Sequence, residues 1–190
     1  MLTRLGAGCG VLAGLAIAVP GLIEAVTGET APTSFVLGLS PAFAVPLLTV
    51  LHLRQAPAAG AFGAVAYTVN AVGLGLFGGA AFTLNLALFF LDDAVTKELL
   101  RGPTTVALLG SALVFAAGAV LFGVAMLRAG IHPRVPAVAY LVALPVLAVA
   151  ARLPDTPLTS VVHVVAGGSL VWLSIGVTQA ASRETVNSSA

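Results

Sequence analysis

Charge is what this chain lacks most. Of its 190 residues only 8% are Asp, Glu, Lys or Arg, against roughly 25% in a soluble domain. So few charged groups cannot cover a fold in water, which leaves hydrocarbon as the outer solvent. A net charge of +1 offers no basic stripe, which argues against nucleic acid as a partner. A single cysteine, Cys9, excludes an internal disulfide and a thiolate metal cage. His52, His132 and His163 sit at different depths and form neither a bis-histidine haem pair nor a zinc cluster. There is no P-loop, no G-x-S-x-G and no H-E-x-x-H. Gly73 to Gly78 spell G-x-G-x-x-G, but inside an unbroken apolar run rather than between a strand and a helix, so no dinucleotide is read from it. No metal or cofactor is implied.

What the chain has instead is apolar length: 59% hydrophobic residues and a mean hydropathy of +1.09. Residues 60–91 contain no Asp, Glu, Lys, Arg, His or Pro, and Asn70 and Asn85 are their strongest polar groups. As one helix this run would reach about 48 Å, well beyond the ~30 Å hydrocarbon core, so it should tilt, project or break. The glycine-rich residues 73–79 are the expected break. Around this run the hydropathy gives five further spans, 5–25, 35–53, 104–127, 135–151 and 158–180. The expected fold is therefore all-α, a polytopic bundle of six transmembrane helices forming one domain over residues 1–182, with a polar tail at 183–190.

Local signals set the ends. Ser34 is the expected cap of the second span, and a turn at 56–59 around Pro57 should join it to the third. Pro20, Pro46 and Pro145 should kink their helices. Residues 92–101, the most charged stretch, read as a short interfacial helix stopped by Gly102-Pro103. Asp155 or Thr156 can cap the sixth span, with Pro157 at its start. Gly6, Gly10 and Gly14 share one helix face, which suits close helix approach and offers a face for a homo-oligomer. Met1 to Arg4, an apolar core and Ala16-Ile17-Ala18 also imitate a signal peptide, but the apolar run continues to Ala25.

With the amino terminus in the cytoplasm, Arg4, Arg54, Arg128, Arg134 and Arg183 lie inside, and Lys97, Arg101 and Arg152 outside. This bias places both termini in the cytoplasm. Residues 44–50, with Pro46 and a following Arg54, resemble residues 143–149, with Pro145 and Arg152. Each sits in the middle span of a three-helix half, the plan of a 3+3 inverted repeat.

Polar groups at membrane depth are expensive and mark candidate sites. On this topology Glu24, Asn85, Asp92 and His163 share the outer third of the bilayer, although they come from three helices. They are the candidate ligand-binding residues. His163 can exchange a proton with Glu24 or Asp92, and Asn85 can orient a polar ligand group.

Leu109 to Leu113, Val124 to Gly130, and Pro133-Arg134 resemble small multi-span bacterial membrane proteins of unknown function. In those a Gly/Ala-rich span runs into an Arg-containing turn with Pro. The resemblance covers spans four to six, implies the bacterial cytoplasmic membrane, and carries no catalytic residue across. Three functions are expected in this order: a protein binding a small or lipid-like ligand in an outer-leaflet pocket, a small proton-coupled transporter, or an enzyme acting on a lipid or isoprenoid substrate.

Overall fold

In the computed structural model, residues 1–150 and 156–188 are described, the last six by their backbone alone. Arg152 and Asp155, read above as part of an outer loop, lie outside them. Among the described residues the regular structure is all helical: α1 (Leu2–Thr27), α2 (Ala31–Phe82), α3 (Asp93–Leu99), α4 (Pro103–Ala129), α5 (Arg134–Ala150) and α6 (Pro157–Ser188). Four stretches are long and apolar enough to cross a membrane: Leu2–Thr27, Ala31–Phe90, Pro103–Ala129 and Pro157–Ser182. α5 is apolar but shorter.

Capping chemistry sets the boundaries. α2 begins four residues before the expected start, because Thr30 and not Ser34 caps it. The Thr30 hydroxyl accepts from the Thr33 backbone N–H, and the Thr33 hydroxyl accepts from that of Thr30 at 2.9 Å. Ser34 instead donates to the carboxylate of Glu29. α6 starts with the same device, Thr156 and Thr159 bonding reciprocally on either side of Pro157. α4 opens on Pro103 and closes on Gly130, whose φ of 66° is left-handed.

The turn expected at 56–59 is made by Gly60. Its φ of 56° and ψ of −149° lie outside the helical region, in a conformation that glycine tolerates and other residues avoid. The two halves of α2 fold back on each other from there. The rings of His52 and Tyr67 stack at 4.2 Å, Thr49 and Tyr67 share a hydrogen bond of 3.3 Å, and Gly38 lies against Asn85 and Leu86. Pro20, Pro46 and Pro145 all sit inside their helices.

The break expected at 73–79 is absent. Those residues stay helical, since packing outweighs glycine's ~1 kcal/mol penalty. A Cβ on Gly73 would lie 2.6 Å from the Cα of Phe115, and one on Gly118 only 2.5 Å from that of Asn70. These glycines let α4 and the second half of α2 touch backbone to backbone. The helix changes character later, in a π turn at Thr83–Ala87 and a 3-10 turn at Leu88–Phe90.

Gly6, Gly10 and Gly14 work in the same way within the chain. Val50 of α2 covers Gly6, Leu47 and Ser174 cover Gly10, and Gly167 and Val171 of α6 cover Gly14. The face expected to join two copies is thus occupied by the protein's own helices. Large apolar side chains point outward instead: Val106, Leu113, Val142 and Val149 are exposed, while Ala119, Ala125, Ala137 and Ala166 are fully buried. Large apolar side chains exposed on the outside, beside small residues where the helices touch, suit lipid as the surrounding medium. At the end of the short α3, Glu98 pairs with the exposed Arg101 just beyond the helix, at 3.0 Å. Removal of this pair should change stability by less than about 0.5 kcal/mol in thermal melts.

The loop between α4 and α5 folds inward. His132 is buried, and its Nε2–H donates to the Leu51 carbonyl at 3.1 Å. Burial pushes its pKa below the ordinary 6.5; the Leu51 bond opposes this, and the Arg54 charge adds to it. The folded state therefore holds the ring neutral. As pH falls below 6.5 the unfolded chain takes up a proton that the folded chain does not, so stability declines toward acid. Melting temperature in detergent should fall between about pH 7 and pH 5. His132→Gln should flatten that slope.

Candidate ligand cavity

A cavity of about 240 Å³ runs down the middle of the bundle, between α1, both halves of α2, α4, α5 and α6. On the first half of α2 its lining extends from Leu37 to Leu51, about 21 Å of helix. Most of the wall is apolar: leucines and alanines, with Phe77 and Phe115 stacked at 4.8 Å. Polar groups gather at one end, where α1 finishes and α2 and α6 begin. They are Glu24, Glu29, Asn85, Thr159 and His163; Ser40 and Tyr140 are the other polar residues of the lining.

Each is held there by its local structure. His163 sits two turns into α6, and its Nδ1–H donates to the Thr159 carbonyl at 2.8 Å. A carbonyl can only accept, so the Nδ1 proton is committed and the neutral ring offers Nε2 as an acceptor. The imidazole lies against Gly21 of α1, where a Cβ would overlap the Cβ of His163. Glu24 follows one turn later on the same face of α1 and is buried, at 5% exposure. Asn85 stands in the π turn, its Nδ2 donating to the Ala81 carbonyl at 2.9 Å. Single π turns inside helices occur frequently at functional sites.

Glu24, Asn85 and His163, three of the four residues singled out from sequence, thus line one cavity. Asp92 does not. It is exposed and precedes α3 as its N-cap residue. The charged run that makes Asp92 conspicuous in the sequence begins a separate helix, which turns it away from the bundle.

Sequence reasoning missed Glu29, Thr159 and Tyr140, all part of the lining. A Thr-x-x-Thr cap beside Glu29 is visible in the sequence and draws it to the start of α2. Tyr140 carried no local signal. Asn70, a strongly polar group of the 60–91 run, is fully buried, with its Nδ2 donating to the Tyr140 hydroxyl oxygen at 2.6 Å.

Chemically the cavity provides an apolar channel capped by two carboxylates, an amide and an imidazole. At about 240 Å³ it falls just below the ~300–1,000 Å³ of drug-sized pockets. No protein-family model, curated protein or solved structure matches this chain.

Proposed function

We propose that this protein crosses the membrane six times and binds a slender amphiphile, with the polar head at the extracytoplasmic end of the cavity and the chain within it. The six crossings are α1, the two halves of α2, α4, α5 and α6. α5, with 17 residues, rises about 26 Å, close to the ~30 Å hydrocarbon core. The excess of arginine at the end bearing Arg4, Arg54, Arg128 and Arg134 orients that end to the cytoplasm and the cavity's polar end away from it.

One observation carries this reading: the ionisable and amide groups of the lining, Glu24, Glu29, Asn85 and His163, are concentrated at one end with Thr159, and the rest is apolar apart from Ser40 and Tyr140. Water in the channel would be poorly held by such walls, whereas a hydrocarbon chain is not. Two carboxylates at the mouth favour a head that donates hydrogen bonds or carries positive charge. The double variant Asn85→Leu/His163→Leu should lower the occupancy of a co-purified long-chain alcohol or amine about tenfold in native mass spectrometry. Unchanged occupancy would contradict the proposal.

A second reading, transport, is favoured by the packing. Placing Pro46 on Pro145 also places α1 on α4 and the second half of α2 on α6. α1 packs on α6 through Gly14 and Gly167, and α4 packs on the second half of α2 through Gly118 and Gly73. This correspondence suits two inverted halves around a central site. Flux of a long-chain amine into vesicles, driven by a pH gradient and abolished by His163→Ala, would favour transport. Saturable binding without flux would favour a carrier fixed in place.

A further inference from the structure

The arginine-bearing end of the bundle presents a surface that the cavity does not use. Arg128 lies in the last turn of α4 and Arg134 begins α5, and both are exposed. The loop between them is held in place. Gly130 closes α4 in a left-handed conformation, and the buried His132 bonds to the Leu51 carbonyl. That bond draws the loop onto the end of the first half of α2, close enough for the Arg54 charge to act on the His132 ring. On its other side the Arg128 guanidinium lies over the Phe62 ring, 5.1 Å from the centroid, just past the turn at Gly60. Neither Arg128 nor Arg134 has a carboxylate partner among the described residues.

Membrane topology asks only for positive charge at this end, which lysine supplies as well. Yet Arg4, Arg54, Arg128 and Arg134 are all arginine, and the only lysine, Lys97, is at the other end. Arginine's planar fork suits phosphate, which it meets through two parallel N–H···O bonds. The Phe62 contact restricts the Arg128 side chain beforehand, so less freedom is lost on binding. The surroundings of these guanidinium groups are apolar. Leu53, Ile131 and Val135, each next to or within three residues of an arginine, are 54%, 49% and 63% exposed. A free phosphate has no use for that fringe. A phospholipid has a use for both, the headgroup on arginine and the upper acyl chains on Ile131 and Val135.

We infer that Arg128 and Arg134, with the apolar side chains beside them, form a binding surface for the headgroup of an anionic phospholipid in the cytoplasmic leaflet. It rests on the topology proposed above and not on the cavity. A headgroup held by both arginines joins α4 to α5 across their loop, so the bound lipid stabilises the folded chain.

The test adds dioleoylphosphatidylglycerol or dioleoylphosphatidylcholine to the delipidated full-length protein in a nonionic detergent, with native mass spectrometry and melting curves as readouts. The phosphatidylglycerol should be retained about tenfold more strongly and should alone raise the melting temperature. Arg128→Gln/Arg134→Gln should cut its retention about tenfold or more and leave phosphatidylcholine within about twofold. Arg101→Gln, at the opposite end, should change neither. Equal retention of the two lipids by the unaltered protein would overturn the inference without any variant. Full retention of phosphatidylglycerol by the double variant would overturn it too. Inorganic phosphate that raised the melting temperature as the lipid does would reveal a free-anion site and overturn the assignment to lipid.

Discussion

Gly167→Ala is expected to destabilise the protein, and Gly168→Ala, one residue further along the same helix, to stabilise it. Both changes add one methyl group to α6 and bring the same gain in helix propensity, up to about 1 kcal/mol. They differ in what the methyl meets. At Gly168 it meets open space. At Gly167 it would run into the carbonyl oxygen of Gly14 and lie 2.9 Å from both the Cβ and the backbone nitrogen of Ala18. No side chain can swing aside there, because the obstacles are backbone and a methyl fixed to it. α1 and α6 must separate, with a net loss of about 1–3 kcal/mol, the usual range for overpacking. Gly14→Ala should behave like Gly167→Ala, since a methyl there meets the Gly167 carbonyl. The double variant should lose less than the sum, because one separation of the helices accommodates both methyls. Melting curves in detergent would check this series. Equal melting temperatures for the Gly167 and Gly168 variants would mean that α1 and α6 do not cross there.

Ala44→Phe is expected to abolish amphiphile binding while leaving the fold intact. Ala44 lies on the first half of α2, lines the cavity and is only partly buried. A phenyl ring in its place projects into space that holds no protein atoms and takes a large share of the 240 Å³. The ring gains contacts with walls that lack partners on that side, so the melting temperature of the ligand-free protein should hold or rise. Affinity for hexadecan-1-ol should fall at least tenfold, about 1.4 kcal/mol or more. Leu113→Phe is the matched control, since Leu113 is exposed on the outer side of α4 and enlarging it leaves the cavity untouched. If Ala44→Phe binds as the unaltered protein does, the ligand sits elsewhere.

Both expectations depend on features that the sequence shows only in part. Helix positions were legible because lipid-compatible spans need long apolar runs, and the observed α1, α4, α5 and α6 begin and end within a few residues of the hydropathy limits, α6 excepted at its carboxyl end. Depth was legible too. A polar residue's distance from a helix end fixes its level, and that sufficed to group Glu24, Asn85 and His163. Direction around the helix was not legible. The spans are apolar on every side, so no amphipathic stripe separates interior from exterior. Glycine carried the ambiguity furthest. By propensity alone, residues 73–79 break the helix; in the fold, Gly73 lies against Phe115 and helps join α2 to α4, while the lone Gly60 makes the turn. Which role a glycine takes depends on a partner helix that is distant in sequence. The Asn70–Tyr140 pair lay beyond reach for the same reason, being a contact between residues seventy positions apart.

The central expectation is that the cavity holds an amphiphile's chain inside the bundle. Photocrosslinking with a diazirine placed midway along hexadecan-1-ol, followed by peptide mass spectrometry, tests this most directly. Adducts on Phe115, Tyr140 and Leu144, suppressed by excess unlabelled alcohol, are the predicted result. Adducts confined to outward-facing residues such as Leu113, Val138 and Val149, unaffected by competitor, would contradict it.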